Sequence, residues 1–157
     1  MQEIERKFLP APGAVIPFTS DNEEIIQMYI HEEGEDTVCR LRLIDGHKAL
    51  ITQKDKSLDG GFSCNELESR IPYHIGLVMY DACGNPPIIK ERYRIPHGEL
   101  TFEVDVFSDH NKGLVLIEIE MPSKDTVITL PDWVGEEVTL DPRYKNVNLI
   151  KNPYELW

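Results

Sequence analysis

The sequence predicts a mainly β (α+β) protein: an eight-stranded antiparallel β-barrel closed into a tunnel, with a few short helices, in a single domain over residues 1–157. Three observations predict it. Short runs of alternating character recur along the chain, separated by Gly, Pro, Asn and Asp, as in strands joined by tight turns. On most of these runs the charged residues fall at i and i+2, which puts them on one face of a strand. Helical signal is confined to two short stretches.

Strands are predicted at 2–9, 23–32, 37–45, 47–56, 64–71, 88–95, 99–108 and 114–121. Asp45–Gly46 gives a hairpin signal between the third and fourth. The segments "SLDGGF", "PHGEL" and "SDHNKG" supply further turns. "PYHIGLVMYDACG" (72–84) predicts one short helix stopped by Gly84, and "DPRYKNVNLIKNP" (141–153) a second that Pro142 starts. The stretch 122–140 reads as loop with a short strand at "EEVTL".

Bulk properties narrow the function classes. The 157 residues are 41% hydrophobic and 28% charged, enough for one core without disulfide staples. No apolar run approaches a membrane span, and charges occupy the N-terminus in place of a secretory signal, so no membrane association and a cytoplasmic location are expected. Cys39, Cys64 and Cys83 are scattered and form no CxxC pair. A net charge of −12 argues against nucleic acid as partner, yet allows a small polyanion in a locally basic site.

Sorting each strand by parity reveals the chemistry. Glu3, Glu5 and Lys7 share one face of the first strand, with Ile4 and Phe8 opposite. Arg40 and Arg42 share a face, as do Thr52, Lys54 and Lys56, then Glu66, Glu68 and Arg70, then Lys90, Arg92 and Arg94. Glu103 and Asp105 oppose Phe102, Val104 and Val106; Glu118 and Glu120 oppose Val115, Ile117 and Ile119. On a single strand this pattern describes any solvated sheet face. Repeated on strand after strand, with acidic and basic doublets kept apart, it predicts an inverted barrel with charges inside. Burying so many charges unpaired is prohibitive, so the interior must hold counter-charges, metals or a charged ligand. Lys7, Arg40, Arg42, Lys54, Lys90 and Arg92 suit a polyphosphate chain. Glu3, Glu5, Asp105, Glu118 and Glu120 suit a hard divalent cation, Mg²⁺ or Mn²⁺. The apolar exterior then needs cover, for which a homodimer is one source.

These residues resemble the CYTH superfamily, the triphosphate tunnel metalloenzymes. "EIERKF" fits its ExExK signature. The RxR of "CRLRL", TxK of "ITQK", ExE of "NELES", KxR of "IKERY", ExD of "FEVDV" and ExE of "IEIEM" follow in the family's order, across nearly the whole chain. The resemblance implies a metal-dependent enzyme on a triphosphate, with inorganic triphosphate favoured by the compact chain. The alternatives are thiamine or nucleoside triphosphate hydrolysis, a class IV adenylate cyclase, or a non-catalytic polyphosphate-binding module. It places Glu3, Glu5, Asp105, Glu118 and Glu120 as metal ligands, and Lys7, Arg40, Arg42, Lys54, Lys90, Arg92 and Lys145 around the phosphates. "IIQMYI" resembles the QxY strand of compact bacterial members, which makes Tyr29, beside Lys7, the candidate catalytic group; neighbouring cations are expected to depress its pKa. Cys64 stands where the family often has a basic residue, and the connection after the first strand is shorter than in larger relatives.

Overall fold

A computed structural model of the chain describes residues 2–30, 37–55 and 63–157. Lys56, His31 and the whole "SLDGGF" loop lie outside the described residues, as do the side chains of Glu3 and Cys64.

The strands are β1 (Gln2–Pro10), β2 (Asn22–Ile30), β3 (Thr37–Ile44), β4 (Lys48–Asp55), β5 (Ser63–Ile71), β6 (Ile88–His97), β7 (Leu100–Phe107), β8 (Val115–Glu120) and β9 (Val134–Glu137). Helix α1 (Tyr73–Ala82) follows β5, and α2 (Asn146–Lys151) follows a 3₁₀ turn at Pro142–Tyr144. The strands form one antiparallel sheet of nine, in the order β5-β4-β3-β2-β6-β7-β8-β1-β9. The first residues of β1 also pair with β5, through Gln2↔Asn65, Glu3↔Cys64 and Ile4↔Ser63. The sequence predicts eight strands; the ninth, β9, starts two residues before the expected "EEVTL" and pairs with the end of β1. The short strand expected at "EEVTL" is thus present, shifted toward the N-terminus.

The β3–β4 turn bears out the hairpin signal: Asp45 (φ 48°) and Gly46 (φ 68°) both take the left-handed conformation that matches the strand twist. The Glu24 N–H, donated to the Asp45 side chain at 2.8 Å, ties this turn to β2.

The two faces of the sheet differ as parity requires. On the outer face, Phe8, Phe102, Val104, Ile117 and Ile119 pack under Trp133, Ile128 and Val134, so the 122–134 stretch is a cover. On the other flank Met28, Leu41, Leu43 and Ala49 pack under α1 through Tyr73, Met79 and Tyr80. The chain thus supplies much of the cover that the sequence assigns to a second subunit. On the inner face the character changes along the strands. Ile88, Phe107, Leu114 and Leu116 continue the inward parity of Lys90, Asp105 and Glu118, and cluster with Tyr144 and Leu149 at α2. One end of this face is therefore covered by the C-terminal segment, through apolar contacts. No helix among the described residues is long and apolar enough to cross a membrane.

Gly76 sets the approach of α1: a Cβ there would lie 2.8 Å from both Ala49 Cβ and Leu43 Cδ2. Gly76→Val is expected to cost about 1–3 kcal/mol by overpacking, read from the urea midpoint; an unchanged midpoint would mean that α1 docks loosely.

Candidate active site

The inward faces of β6, β7, β8 and β1 build one ion network. Register places Arg92 opposite Asp105, Arg94 opposite Glu103, Glu103 opposite Glu118, Lys7 opposite Glu118 and Glu5 opposite Glu120. Arg92 organises it. Its Nε donates to Asp105 Oδ1 at 2.6 Å and its Nη2 to Asp105 Oδ2 at 2.7 Å, a two-pronged pairing. The same Nη2 donates to Glu118 Oε2 at 2.7 Å, and Nη1 pairs with Glu103. Lys90 donates to Asp105, and its ammonium lies 5.4 Å from the Phe107 ring centre. Lys7 bridges Glu118 and Glu5, the latter at 2.6 Å. Thr139, on the strap after β9, accepts the Lys7 backbone N–H at 3.0 Å and fixes β1 at this point.

A second group lies on β2, β3, β4 and β5. Tyr29 pairs with Arg40, and Gln27 with Arg42, across β2–β3. Arg42 Nε donates to Gln27 Oε1 at 2.9 Å, and Gln27 Nε2 donates to Tyr29 Oη at 2.7 Å. Arg40 donates to Thr52 Oγ1 at 3.3 Å and stands 3.9 and 3.8 Å from Glu66 and Glu68. Its Nε is buried without an acceptor among the described residues. Lys54 pairs with Glu66 at 2.7 Å. The Tyr29 carbonyl accepts Asn85 Nδ2–H at 3.5 Å, so the loop after α1 holds the end of β2.

Burial and charge set the protonation states. Burial opposes charge on Glu118, but Lys7 and Arg92 hold it well below the usual carboxylate range. Asp105 is lowered too, because Arg92 and Lys90 outweigh its burial. Burial, with the neighbouring Arg92, lowers Lys90 to about 8 despite Asp105. Lys7 is raised: Glu118 and Glu5 outweigh its burial. Burial and the charges of Arg40 and Arg92 lower Arg42 to about 10.

Tyr29 corrects an expectation. The sequence predicts a phenol depressed by neighbouring cations. Arg40, Arg42, Lys54 and Lys7 do pull it down, but burial is the larger effect and its pKa is raised. Tyr29 is therefore a neutral phenol that keeps its proton.

Most of the predicted residues come together. Lys7, Lys90, Arg92, Glu5, Asp105 and Glu118 share the first network, Glu120 faces Glu5 in the register, and Tyr29, Arg40, Arg42 and Lys54 form the second group. Asp105 is wholly buried, and its oxygens accept from Arg92 and Lys90. Lys145 stands between the 3₁₀ turn and α2, and among the described residues it makes no ion pair with either network. Gln27, Glu103 and Thr139 are participants outside the predicted set. The i, i+2 parity with Tyr29 and Asp105 marks Gln27 and Glu103; nothing local marks Thr139, whose partner is far away in sequence.

A family model described as "CYTH domain" matches residues 1–154. The chain belongs to the CYTH domain family. It is 39% identical over 157 residues to an inorganic triphosphatase of Acetivibrio thermocellus, covering 98% of this chain and 96% of that one. It is 36% identical over 153 residues to an inorganic triphosphatase of Nitrosomonas europaea, covering 93% and 95%. Among solved structures it resembles the inorganic triphosphatase NE1496, with TM-score 0.66, 32% identity and coverage of 94% and 93%. A Hippeastrum protein described as a putative adenylyl cyclase with dominant triphosphatase activity shares the fold at TM-score 0.59 and 18% identity, covering 78% and 80%. In this CYTH chain the motif residues lie on the inward parity of the sheet.

Two stability outcomes follow from the network. Asp105→Asn leaves Lys90 buried without its counter-ion and is expected to cost about 3–5 kcal/mol. Lys90→Met leaves Asp105 with the Arg92 fork and packs against Phe107, so its cost is expected to be clearly smaller; urea denaturation compares the two, and equal losses would contradict this hierarchy. The pH dependence has a definite sign. Asp105 and Glu118 have folded pKa values below their unfolded ones, so their stabilisation is present above the ordinary carboxylate range of about 4 and lost as pH falls toward the folded values. Denaturation midpoints across acid pH are expected to fall in this window, and less steeply in Glu118→Gln.

Proposed function

We propose that this chain hydrolyses inorganic triphosphate with a divalent cation, inside a tunnel formed by the sheet. The pairing of β1 with both β8 and β5 supports closure into an eight-stranded ring, with β9 as an added edge. In such a ring β3 stands across from β8, and β2 across from β1. Tyr29 and Lys7 influence each other's charge, and so do Arg42 and Asp105, in keeping with this closure.

The observation that carries the reading is the partition of the inner face. Arg40, Arg42 and Lys54 outnumber their partners Glu66 and Glu68 on one wall, and Glu5, Glu103, Asp105, Glu118 and Glu120 outnumber Lys7, Lys90 and Arg92 on the facing one. A magnesium or manganese triphosphate offers anions to the first wall and a cation to the second. The donor set is all carboxylate oxygen, which suits Mg²⁺ or Mn²⁺. Among the described residues no three of these acids are gathered as a ready cage, because Lys7 and Arg92 lie between them. Glu5, Glu118, Glu120 and, from its register, Glu103 are the proposed holders; Glu3 shares their parity. Bound there, the cation would neutralise charge developing on the phosphate oxygens.

The chain's own groups do the rest. Arg40 and Arg42 take phosphate oxygens through their guanidinium N–H groups, and Lys54 adds a point charge. Lys7, held protonated by Glu5 and Glu118, supplies a cation between the acid wall and the phosphates. Tyr29, a neutral phenol, donates its O–H to orient the attacking water or a terminal oxygen. Asp105 and Lys90 hold Arg92 and contact no phosphate. The apolar cluster beneath α2 takes up one end of the inner face, which favours a short chain over a bulky nucleoside.

Incubation with Mg²⁺ or Mn²⁺ and, separately, triphosphate, ATP and thiamine triphosphate tests this. Orthophosphate from triphosphate is expected, with kcat reduced about 100-fold or more in Glu5→Gln and about tenfold or more in Tyr29→Phe. Cyclic AMP with pyrophosphate, tight binding without turnover, or full activity in Glu5→Gln would each overturn the assignment.

A further inference from the structure

Gln27 belongs to neither the acidic nor the cationic set, yet it is fully buried and makes one contact through each end of its amide, to Tyr29 and to Arg42. Those contacts fix its orientation. The Nε–H of Arg42 can only donate, so Gln27 must turn Oε1 toward it, at 2.9 Å. That leaves Nε2 facing Tyr29 Oη, at 2.7 Å, as a donor. The phenol oxygen thus accepts from Gln27, and its one proton points elsewhere. Gln27 shares a strand face with Tyr29, so both open onto the inner space.

We propose that Gln27 is the positioning residue for Tyr29: the chain Arg42→Gln27→Tyr29 passes hydrogen-bond direction from the cationic wall to the phenol and aims its O–H at the terminal phosphoryl group and its water. The inference deepens the role given to Tyr29 and rests on it. Arg42 thereby has two tasks on one side chain. Nε sets the relay, while, among the described residues, no carboxylate lies within ion-pair distance of its terminal nitrogens, which remain available to an anion. Substrate bound on Arg42 would tighten the same guanidinium that orients Gln27, coupling phosphate binding to the aim of Tyr29.

The test is a double-mutant cycle with a readout independent of turnover. Gln27→Leu keeps volume and removes both polar contacts; Gln27→Glu keeps the Arg42 pairing but turns the Tyr29 proton back upon itself, since a carboxylate only accepts. With triphosphate as substrate, Gln27→Leu is expected to lower kcat about tenfold while KM moves less than about twofold. Gln27→Glu should approach Tyr29→Phe in kcat, and Gln27→Leu should cost nothing further in the Tyr29→Phe background. Ultraviolet titration, with Tyr29→Phe as blank, should find the Tyr29 phenol raised by about one unit in Gln27→Leu, because a donor to the phenolate is lost. Multiplicative losses in the double variant, or an unmoved phenol, would overturn the relay. A wild type without triphosphatase activity would overturn the functional reading instead, and the titration would still decide whether Gln27 donates to Tyr29.

Discussion

The fold depends on the ion network around Arg92. A sheet that turns its charges inward can exist only if those charges are paired, because each unpaired buried ion costs several kcal/mol. Arg92 meets this by holding three carboxylates at once, on β7 and β8. Lys7 and Lys90 complete the balance from β1 and β6. The two guanidinium prongs on Asp105 also lock β6 to β7 in register, so the electrostatics and the backbone ladder specify the same pairing.

Along each strand the inner face changes from charged to apolar within one or two alternations. Lys90 gives way to Ile88, Asp105 to Phe107 and Glu118 to Leu116. This gradient sets the ion network beside an apolar cluster. It explains why Lys90, at the boundary, is buried and lowered while Lys7, among acids, is raised. Two lysines of the same sheet face thus have opposite environments. One sits with Asp105 beside the Phe107 ring; the other bridges Glu5 and Glu118.

Much of this was legible in the sequence because strand parity is strict. Glu5 with Lys7, Arg40 with Arg42, and Glu118 with Glu120 announce a common face by their spacing alone, and the family motifs follow the same parity. Depth along that face was not legible. Asp105 and Glu103 are equivalent by parity, yet one is sealed by Arg92 and Lys90 and the other lies nearer the open space. Tyr29 failed for a related reason: the sequence supplies the neighbouring cations but not the desolvation that outweighs them. A short strand at "EEVTL" was legible, but its pairing with β1 and the Thr139 contact to Lys7 were not, because those partners are more than a hundred residues away.

The central claim is that the inner cations await a polyanion. Thermal denaturation of the wild type and of Arg42→Ala, with and without magnesium triphosphate, tests it most directly, since a ligand of the folded state raises Tm by mass action. Triphosphate is expected to raise the wild-type Tm by several degrees, orthophosphate to raise it far less, and Arg42→Ala to lose most of the triphosphate shift. No shift in the wild type, or an equal shift in Arg42→Ala, would contradict it.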